Sequence, residues 1–332
     1  MQKCISQISK KCQDFRLLVR MQLKWLQDRR CLPLTTAHRE LYDIVHRLCL
    51  RELERFPNLV NCPDYNDRIQ WLKLFDQSRD IIRCSDKILA RDYVKEHVGE
   101  QYLVKLYQVH NHYDQIDFDA LPDSFVIKTN HDSGTVILVR DKTELDHQAA
   151  KAKIEKALKN PYGWLNGEWA YLYITPKVFV EQFIITEDQK PPPDYKFHCA
   201  DGKVRCLQYI SDRGSVTKES IVQLDGKVTS THFDHNMLHI EEFTVPTTWE
   251  SMMSVAESLA TPFKYVRVDM YSTNQNVYVG EMTFFPMAGC YKGEGQKKIG
   301  QLLDFDRTTY KPLLLPELEE ERRRFMEKKC KV

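Results

Sequence analysis

Phe125-Val-Ile-Lys128-Thr-Asn-His-Asp-Ser-Gly134-Thr-Val-Ile-Leu-Val139 is the segment that decides the fold. Its two ends are rich in β-branched and aromatic residues and predict two strands, while the polar residues between them predict a turn. A buried strand that ends in Lys128, followed by a loop that offers backbone N–H groups, suits a polyphosphate ligand. An ordinary hairpin with a solvated lysine explains the same residues, so this segment alone leaves both interpretations open.

A second predicted hairpin, far downstream, carries acidic residues. Its two strands read Tyr265-Val-Arg267-Val-Asp269-Met-Tyr and Asn276-Val-Tyr-Val-Gly280-Glu281-Met-Thr283. Side chains two positions apart in a strand point the same way, so Arg267 and Asp269 share a face, and the hairpin brings Glu281 beside Asp269. Two carboxylates and the Thr283 hydroxyl are oxygen ligands that suit Mg²⁺ carrying nucleotide phosphates. The alternative is a strand pair with a solvated polar face.

Bulk composition describes an ordinary soluble protein. The chain has 332 residues, of which 42% are hydrophobic and 29% charged, enough for two domains or one large domain with lobes. Its 48 basic residues nearly balance 47 acidic residues, so nothing in the charge favours a nucleic-acid partner.

The ten cysteines are scattered without C-x-x-C pairs, which predicts a reducing, cytoplasmic location. No apolar run approaches the ~20 residues of a membrane span, and we expect no signal peptide.

The first residues form a basic segment with helical spacing. Residues 1–31 contain eight Lys and Arg against two Asp, and Leu18, Met21 and Trp25 recur at helical intervals. A basic amphipathic helix of this kind can rest on an anionic membrane surface. It can equally pack on its own domain. The sequence therefore leaves peripheral contact with the inner face of the membrane as an open alternative.

Two segments supply further candidate ligand-binding residues. Ser85 is a predicted N-cap for a helix that stops at Gly99, which places Lys87 on the first turn, where a bound anion is favoured. A surface lysine is the alternative for Lys87. Lys177 to Ile185 predicts a buried strand with one acid, Glu181, near its end, where backbone groups can bond an adenine edge.

A third segment predicts a hairpin. Asp194 to Ile210 alternates around the turn sequence Asp201-Gly202. Asp194 and Lys196 lie two residues apart and share the polar face of its first strand.

Taken in order, these motifs resemble the TupA-like branch of the ATP-grasp superfamily, which is linked to teichuronopeptide and bacterial surface-polysaccharide biosynthesis. The resemblance covers roughly residues 65–305, and the ordered set is specific although each motif alone is weak. The matching segments are Arg68-Ile-Gln-Trp-Leu-Lys-Leu-Phe75, Ser85-Asp-Lys87, Asp117-Phe-Asp119, Phe125 to Gly134, Val180-Glu181-Gln-Phe-Ile184, Asp194-Tyr-Lys196-Phe, Val266-Arg267-Val-Asp269-Met-Tyr271 and Gly280-Glu281-Met-Thr283-Phe-Phe-Pro286.

The resemblance implies an α+β fold in which two lobes hold ATP between antiparallel sheets. On this basis we expect an N-terminal helical region over residues 1–75 and a small lobe with the phosphate-binding loop over 76–177. A large lobe with the hinge and the metal site would cover 178–311, and a charged helical tail would cover 312–332.

The resemblance also implies roles for individual residues. Lys87 and Lys128 match the phosphate-binding lysines, and Ser133-Gly134 matches the mobile loop over the γ-phosphate. The adenine hinge matches Glu181, Gln182 and Ile184, with Asp194 as the acid that binds the ribose. Arg267 matches the arginine that steadies the transferred group, and we assign Lys196 to the catalytic residues with it. The magnesium ligands match Asp269, Glu281 and Thr283.

Two residues depart from the family pattern. Thr135 stands where a second glycine is expected, which predicts a stiffer loop. Thr283 replaces the asparagine that is usual in the wider superfamily, which puts a second metal site in doubt.

The implied activity is an ATP- and Mg²⁺-dependent carboxylate–amine ligation through an acyl phosphate. The expected partners are a uronic acid of a bacterial capsule or O-antigen polysaccharide and an amino acid or other amine. A carboxylate is a poor electrophile, and phosphorylation gives it a leaving group that an amine can displace. The alternatives are an ATP-dependent glycan kinase or phosphotransferase and a non-catalytic nucleotide-binding partner of a polysaccharide assembly complex.

Overall fold

The computed structural model describes residues 2–186, 191–212, 216–233, 237–273, 276–311 and 313–314. Its helices are α1 (Gln2–Asp28), α2 (Arg39–Leu53), α3 (Tyr65–Phe75), α4 (Arg79–Ser85), α5 (Leu89–His97), α6 (His147–Lys159), α7 (Trp249–Ala260) and α8 (Gln296–Leu302). Its strands are β1 (Leu106–His110), β2 (Phe125–Thr129), β3 (Val136–Val139), β4 (Val178–Gln182), β5 (Asp194–Ala200), β6 (Lys203–Ser211), β7 (Lys218–Val222), β8 (Leu238–His239), β9 (Tyr265–Thr273) and β10 (Asn276–Thr283).

The N-terminal region is helical, as its periodicity predicts. The apolar face of α2 is buried, and the Trp25 ring of α1 packs edge-on against Tyr42 of α2 at 4.8 Å. The Tyr42 hydroxyl donates to the Asp28 carboxylate at 2.9 Å, which satisfies a polar pair at this contact. Helix α3 begins where the Asp64 side chain accepts from the Asp67 N–H at 2.9 Å, and all of its residues are buried.

The smaller sheet contains the segment that opens the sequence analysis. Its strand order is β1-β4-β2-β3, with every pair antiparallel, and the predicted hairpin of β2 and β3 pairs Lys128 with Val136. Phe125, Ile127 and Val180 are buried beneath α6 in a hydrophobic cluster of their own. Strand β4 lies between β1 and β2, so this sheet draws strands from both sides of the expected boundary at residues 177 and 178.

The larger sheet has the order β10-β9-β5-β6-β7-β8, and only the short pair of β7 and β8 is parallel among its described strands. Both predicted hairpins are present. The turn between β5 and β6 has positive φ at Asp201 (47°) and Gly202 (71°), the backbone that an Asp-Gly turn favours. Helix α7 packs on the face of this sheet that carries Phe197 and Cys199, whereas Tyr65 of α3 contacts the opposite face at Tyr265. The sheet shares one hydrophobic cluster with the N-terminal helices.

One predicted helix start is wrong. Ser85 ends α4 instead of capping the next helix, and Lys87 lies in the link before α5. The Asp86 side chain accepts from the N–H groups of Ile88 (2.8 Å) and Leu89 (3.3 Å), so Asp86 takes the role expected for Ser85. The expected tail over 312–332 lies outside the described residues except for residues 313 and 314.

Candidate active site

A pocket separates the two sheets and gathers charged side chains from both. Its charged lining consists of Lys128 and Glu181 from the smaller sheet, Glu281 from β10, and Lys87 and Arg91 from the region of α5. Three of the predicted ATP-binding residues and one predicted metal ligand therefore meet in one place.

Lys128 and Glu181 form an ion pair diagonally across the neighbouring strands β2 and β4. The Lys128 Nζ lies 2.5 Å from the Glu181 Oε1, and the Arg91 guanidinium lies 3.8 Å from the other carboxylate oxygen. Burial opposes the charge on Lys128, but Glu181 outweighs burial and raises the pKa of Lys128 well above its usual value. Arg91 is a further pocket residue that the motifs did not predict; its signal in the sequence is a second cation one helical turn after Lys87.

The phosphate loop is tied to the segment that carries Lys87. The Lys87 side chain donates to the Asp132 carbonyl, and its backbone N–H donates to the Asn130 carbonyl at 3.1 Å. The Asn130 amide donates to the Asp86 carboxylate at 3.0 Å. Lys87 also lies 3.7 Å from Glu281, so this loop and β10 approach the same cation.

The tip of the loop is open, whereas its base is anchored. Ser133 and Gly134 are exposed, and Gly134 has φ of +90° with open space where a Cβ would stand. Thr135, which replaces the expected glycine, donates its hydroxyl to the Asp132 carboxylate at 2.5 Å, and Thr129 donates to the other oxygen. The substitution therefore fixes the base of the loop and leaves the tip exposed.

Three of the predicted catalytic and metal residues form one row across three strands. Lys196 pairs with Asp269 in the register of β5 and β9, and Asp269 pairs with Glu281 in the register of β9 and β10. A bulge at Gly280 shifts the β10 register just before Glu281 and keeps the two carboxylates opposite each other. The predicted neighbourhood of Asp269 and Glu281 is thus present.

Asp269 is held by two cations. It accepts from Lys196 Nζ at 2.5 Å and from Arg267 at 2.6 and 2.8 Å, and it is 4% exposed. Burial favours its neutral form, but Arg267 and Lys196 outweigh burial and hold the pKa of the Asp269 carboxyl below its usual value. Arg267 also donates to the Thr283 hydroxyl at 3.3 Å, which places Thr283 in the next row.

The donor set fits Mg²⁺ bound together with nucleotide phosphates. Asp269, Glu281 and Thr283 offer only oxygen ligands, and Mg²⁺ in phosphate sites takes one or two carboxylates plus phosphate oxygens. Among the described residues no group of three or more His, Cys, Asp and Glu side chains is arranged as a metal site. The oxygen ligands of Asp269, Glu281 and Thr283 suit a metal that arrives with its nucleotide.

The other residues predicted to bind adenine and ribose do not line this pocket. Gln182 ends β4 with an exposed side chain, and its backbone N–H donates to the Lys105 carbonyl at 2.8 Å. Ile184 follows β4 and is half-buried. Asp194 begins β5, with its carboxylate 3.6 Å from Lys196, so it lies beside the catalytic row. The adenine and ribose roles of these residues remain predictions.

A buried network of polar side chains contacts Arg267 through the Tyr291 hydroxyl. The Tyr291 hydroxyl is 3.3 Å from Arg267 and 3.4 Å from Gln208, which in turn is 3.3 Å from His198. His198 continues to the Tyr265 hydroxyl at 2.8 Å. Burial lowers the pKa of His198 to about 3, so the ring stays neutral beside the arginine. The network was not predictable from sequence motifs because its members are far apart in the chain.

The segment after β10 has an unusual backbone that α3 braces. Met287, Ala288 and Gly289 all have positive φ (49°, 52° and 67°). The Ala288 carbonyl accepts from the Gln70 amide at 3.0 Å and from the fully buried Lys73 at 2.7 Å. Left-handed backbone at non-glycine residues is costly and is concentrated at functional sites.

A sequence model of TupA-like ATP-grasp proteins matches residues 67–304, well over half of the chain. The chain belongs to the TupA-like ATP-grasp family. This match confirms the predicted family and the predicted α+β ATP-grasp fold.

Solved structures similar to this ATP-grasp family member are distant. The D-alanine–D-alanine ligase of Bacillus anthracis has 17% identity and a TM-score of 0.38, with 61% of this chain and 57% of that chain covered. The D-alanine–D-alanine ligase of Helicobacter pylori has 12% identity and a TM-score of 0.40, with 74% and 68% covered. The ATP-grasp ligase PsnB, complexed with its minimal precursor, has 12% identity and a TM-score of 0.38, with 69% and 62% covered.

This chain thus aligns with little more than half the length of the first of these structures. A comparison with curated protein sequences gives no match. Within the described residues, no helix has the length and apolar character needed to cross a membrane.

Proposed function

We propose that this enzyme is an ATP- and Mg²⁺-dependent carboxylate–amine ligase that forms an amide through an acyl phosphate. The observation that carries the proposal is the pocket in which Lys87 and Lys128 face Glu281, the outermost residue of the row that continues through Asp269 to Lys196. Phosphoryl transfer depends on positioning and on neutralising the charge of the phosphates. The pocket offers positive charge and oxygen ligands side by side.

Each charged residue has a role in this proposal. Lys87 and Lys128 contact the phosphates, and Arg267 steadies the group in transfer. Asp269, Glu281 and Thr283 would hold Mg²⁺, which when bound neutralises phosphate charge. Lys196 orients Asp269 through the contact at 2.5 Å. The loop tip at Ser133 and Gly134 covers the phosphates and excludes water, which would hydrolyse the acyl phosphate.

Binding of nucleotide requires a change of partner at Lys128. Its ammonium is engaged by Glu181 at 2.5 Å, whereas a phosphate ligand needs that charge. Arg91, at 3.8 Å, stays beside Glu181 when Lys128 turns toward the phosphates. Glu181 is then free to act at the hinge with Gln182 and Ile184, while Asp194 binds the ribose.

For the substrates, we propose a uronic acid of a bacterial capsule or O-antigen polysaccharide as the carboxylate and an amino acid or other amine as the nucleophile. Support comes from the resemblance of this chain to the TupA-like family, because that resemblance points to surface-polysaccharide biosynthesis. Reaction in the cytoplasm fits the use of ATP and the free thiols of the described cysteines.

We also propose the lobe division at 76–177 and 178–311, with β4 completing the sheet of the small lobe. The helical region 1–75 precedes these lobes, and the charged tail 312–332 follows them.

The test is ATP turnover by the purified protein with Mg²⁺, a panel of uronic-acid sugars and the common amino acids, followed by mass spectrometry. We expect release of ADP and phosphate that requires both a sugar acid and an amine, with a product mass equal to their sum minus water. A phosphorylated sugar without an amine requirement would replace the ligase by a glycan kinase. ATP binding without turnover on any acceptor of the panel would favour a non-catalytic partner.

A further inference from the structure

The outer face of α1 carries an apolar stripe that is open to solvent. Its members recur at helical spacing and lie on one face over ~17 Å. We call them the α1 stripe: Phe15 (67% exposed), Leu18 (53%), Val19 (42%), Leu23 (62%) and Leu26 (49%). Five large apolar side chains on one helix face form a contiguous patch, which a soluble monomer rarely exposes without use.

The opposite face of the same helix anchors it to the protein. Met21, Trp25 and Asp28 are buried, and Trp25 and Asp28 both contact Tyr42. The sequence spacing of Leu18, Met21 and Trp25 suggested a single apolar face, but Leu18 points outward while the other two pack inward. Helix α1 therefore packs on the domain with one face and exposes apolar side chains on another.

Positive charge borders the α1 stripe. Arg16 and Arg20 lie along one edge of it, and Arg29 and Arg30 follow its C-terminal end, all of them exposed. The acids among residues 14–30 are Asp14, which precedes the stripe, and Asp28, which is buried. The patch is thus apolar in its middle and basic at its edges.

This charge pattern decides between a second copy of the chain and a membrane surface as the binding partner of the stripe. Two copies of the chain that paired through the α1 stripe would bring arginines against arginines, which is unfavourable. A bilayer with anionic headgroups accepts the apolar side chains and attracts the flanking arginines. We infer that the α1 stripe docks the enzyme on an anionic phospholipid bilayer, with α1 lying in the plane of the surface.

The test is co-sedimentation of the full chain with vesicles of phosphatidylglycerol and phosphatidylcholine, compared with pure phosphatidylcholine. We expect binding to the anionic vesicles that weakens with added salt. The double variant Leu18→Glu/Leu23→Glu should reduce the vesicle partition coefficient by about tenfold or more, because it removes two apolar anchors. The matched control is Leu165→Glu, which makes the same change at an apolar residue that is 82% exposed elsewhere.

A second variant keeps the test independent of folding defects. Arg16→Gln/Arg30→Gln retains the apolar stripe and should reduce binding and its salt dependence. Failure of the wild type to bind anionic vesicles, or equal binding by Leu18→Glu/Leu23→Glu, would overturn the inference. A dimer in light scattering that these substitutions dissociate, without vesicle binding, would assign the stripe to a second copy. None of these outcomes depends on the ligase proposal.

Discussion

Asp269 and Glu281 stand opposite each other in the same row, but their surroundings differ. Asp269 is buried and paired with both Arg267 and Lys196. The Glu281 side chain is 28% exposed, and its described ion pair with Lys87 is longer, at 3.7 Å. Removing one member of a buried ion pair costs about 3–5 kcal/mol of folding stability. Asp269→Asn therefore mixes loss of stability with loss of a metal ligand, and Glu281 is the better probe.

We predict that Glu281→Gln lowers ATP turnover by about 100-fold or more, since charge stabilisation in the transition state is worth this much. Its melting temperature should stay close to that of the wild type because the side chain is partly solvated. Steady-state ADP release with saturating Mg²⁺ measures the effect. Glu257→Gln is the matched control, since Glu257 pairs with Lys203 on the surface at 2.7 Å. Turnover within about twofold of wild type would contradict the metal assignment.

Lys128 provides a separate prediction about nucleotide binding. Lys128→Ala should weaken ATP affinity by about 10–100-fold, which corresponds to one hydrogen bond between charged groups. Isothermal titration calorimetry with Mg²⁺ and a non-hydrolysable ATP analogue measures it. Lys203→Ala removes a lysine from a similar pair on the surface and should bind normally. Unchanged affinity in Lys128→Ala would remove this residue from the site.

Elements with local signals were predictable, and elements fixed by distant contacts were not. The hairpin of β5 and β6 follows from its Asp201-Gly202 turn, and the hairpin of β9 and β10 follows from its alternating strands. The pairing of Asp269 with Glu281 additionally needs the bulge at Gly280. The start of α5 was misplaced because Ser85 and Asp86 both have capping chemistry, and only the backbone decides between them. The insertion of β4 between β1 and β2, and the brace from Lys73 to Ala288, join segments far apart in the chain.

Helix α2 carries a histidine whose burial makes its packing sensitive to acid. His46 is fully buried and stacks on Tyr42 at 3.8 Å, and burial lowers its pKa to about 3. The unfolded chain binds this proton near pH 6.5, so the stability contributed by neutral His46 is complete above pH 6.5 and is lost as the pH falls toward 3.

We therefore predict that His46→Phe, which keeps the stacked ring, removes part of the acid sensitivity. Between pH 7.5 and 5.0 the free energy of unfolding of the wild type should fall by about 2 kcal/mol more than that of the variant. Urea unfolding at both pH values measures the difference. Equal losses in the two proteins would show that His46 does not titrate on unfolding in this range.

Within the part of the chain that the structure describes, two principal hydrophobic clusters lie on either side of the pocket. One joins the N-terminal helices, α3 and the larger sheet, and the other lies between the smaller sheet and α6. The charged pocket of Lys128, Glu181 and Glu281 lies at the junction between the two clusters. Charged side chains of both signs line this junction, in contrast to the apolar interiors of the clusters. Each sheet therefore has its own core, and a ligand in the pocket adds contacts that bridge them.

We predict that Mg²⁺ with a non-hydrolysable ATP analogue stabilises the junction selectively. At about 100 times its dissociation constant the ligand adds about 2.7 kcal/mol to the free energy of unfolding. Hydrogen exchange should slow in β2, β4 and β10, which line the pocket, while α1 and α2 exchange as before. Glu281→Gln should lose the Mg²⁺-dependent part of this protection. Protection confined to one sheet would contradict a nucleotide held between the lobes, because a bridging ligand must slow the opening of both.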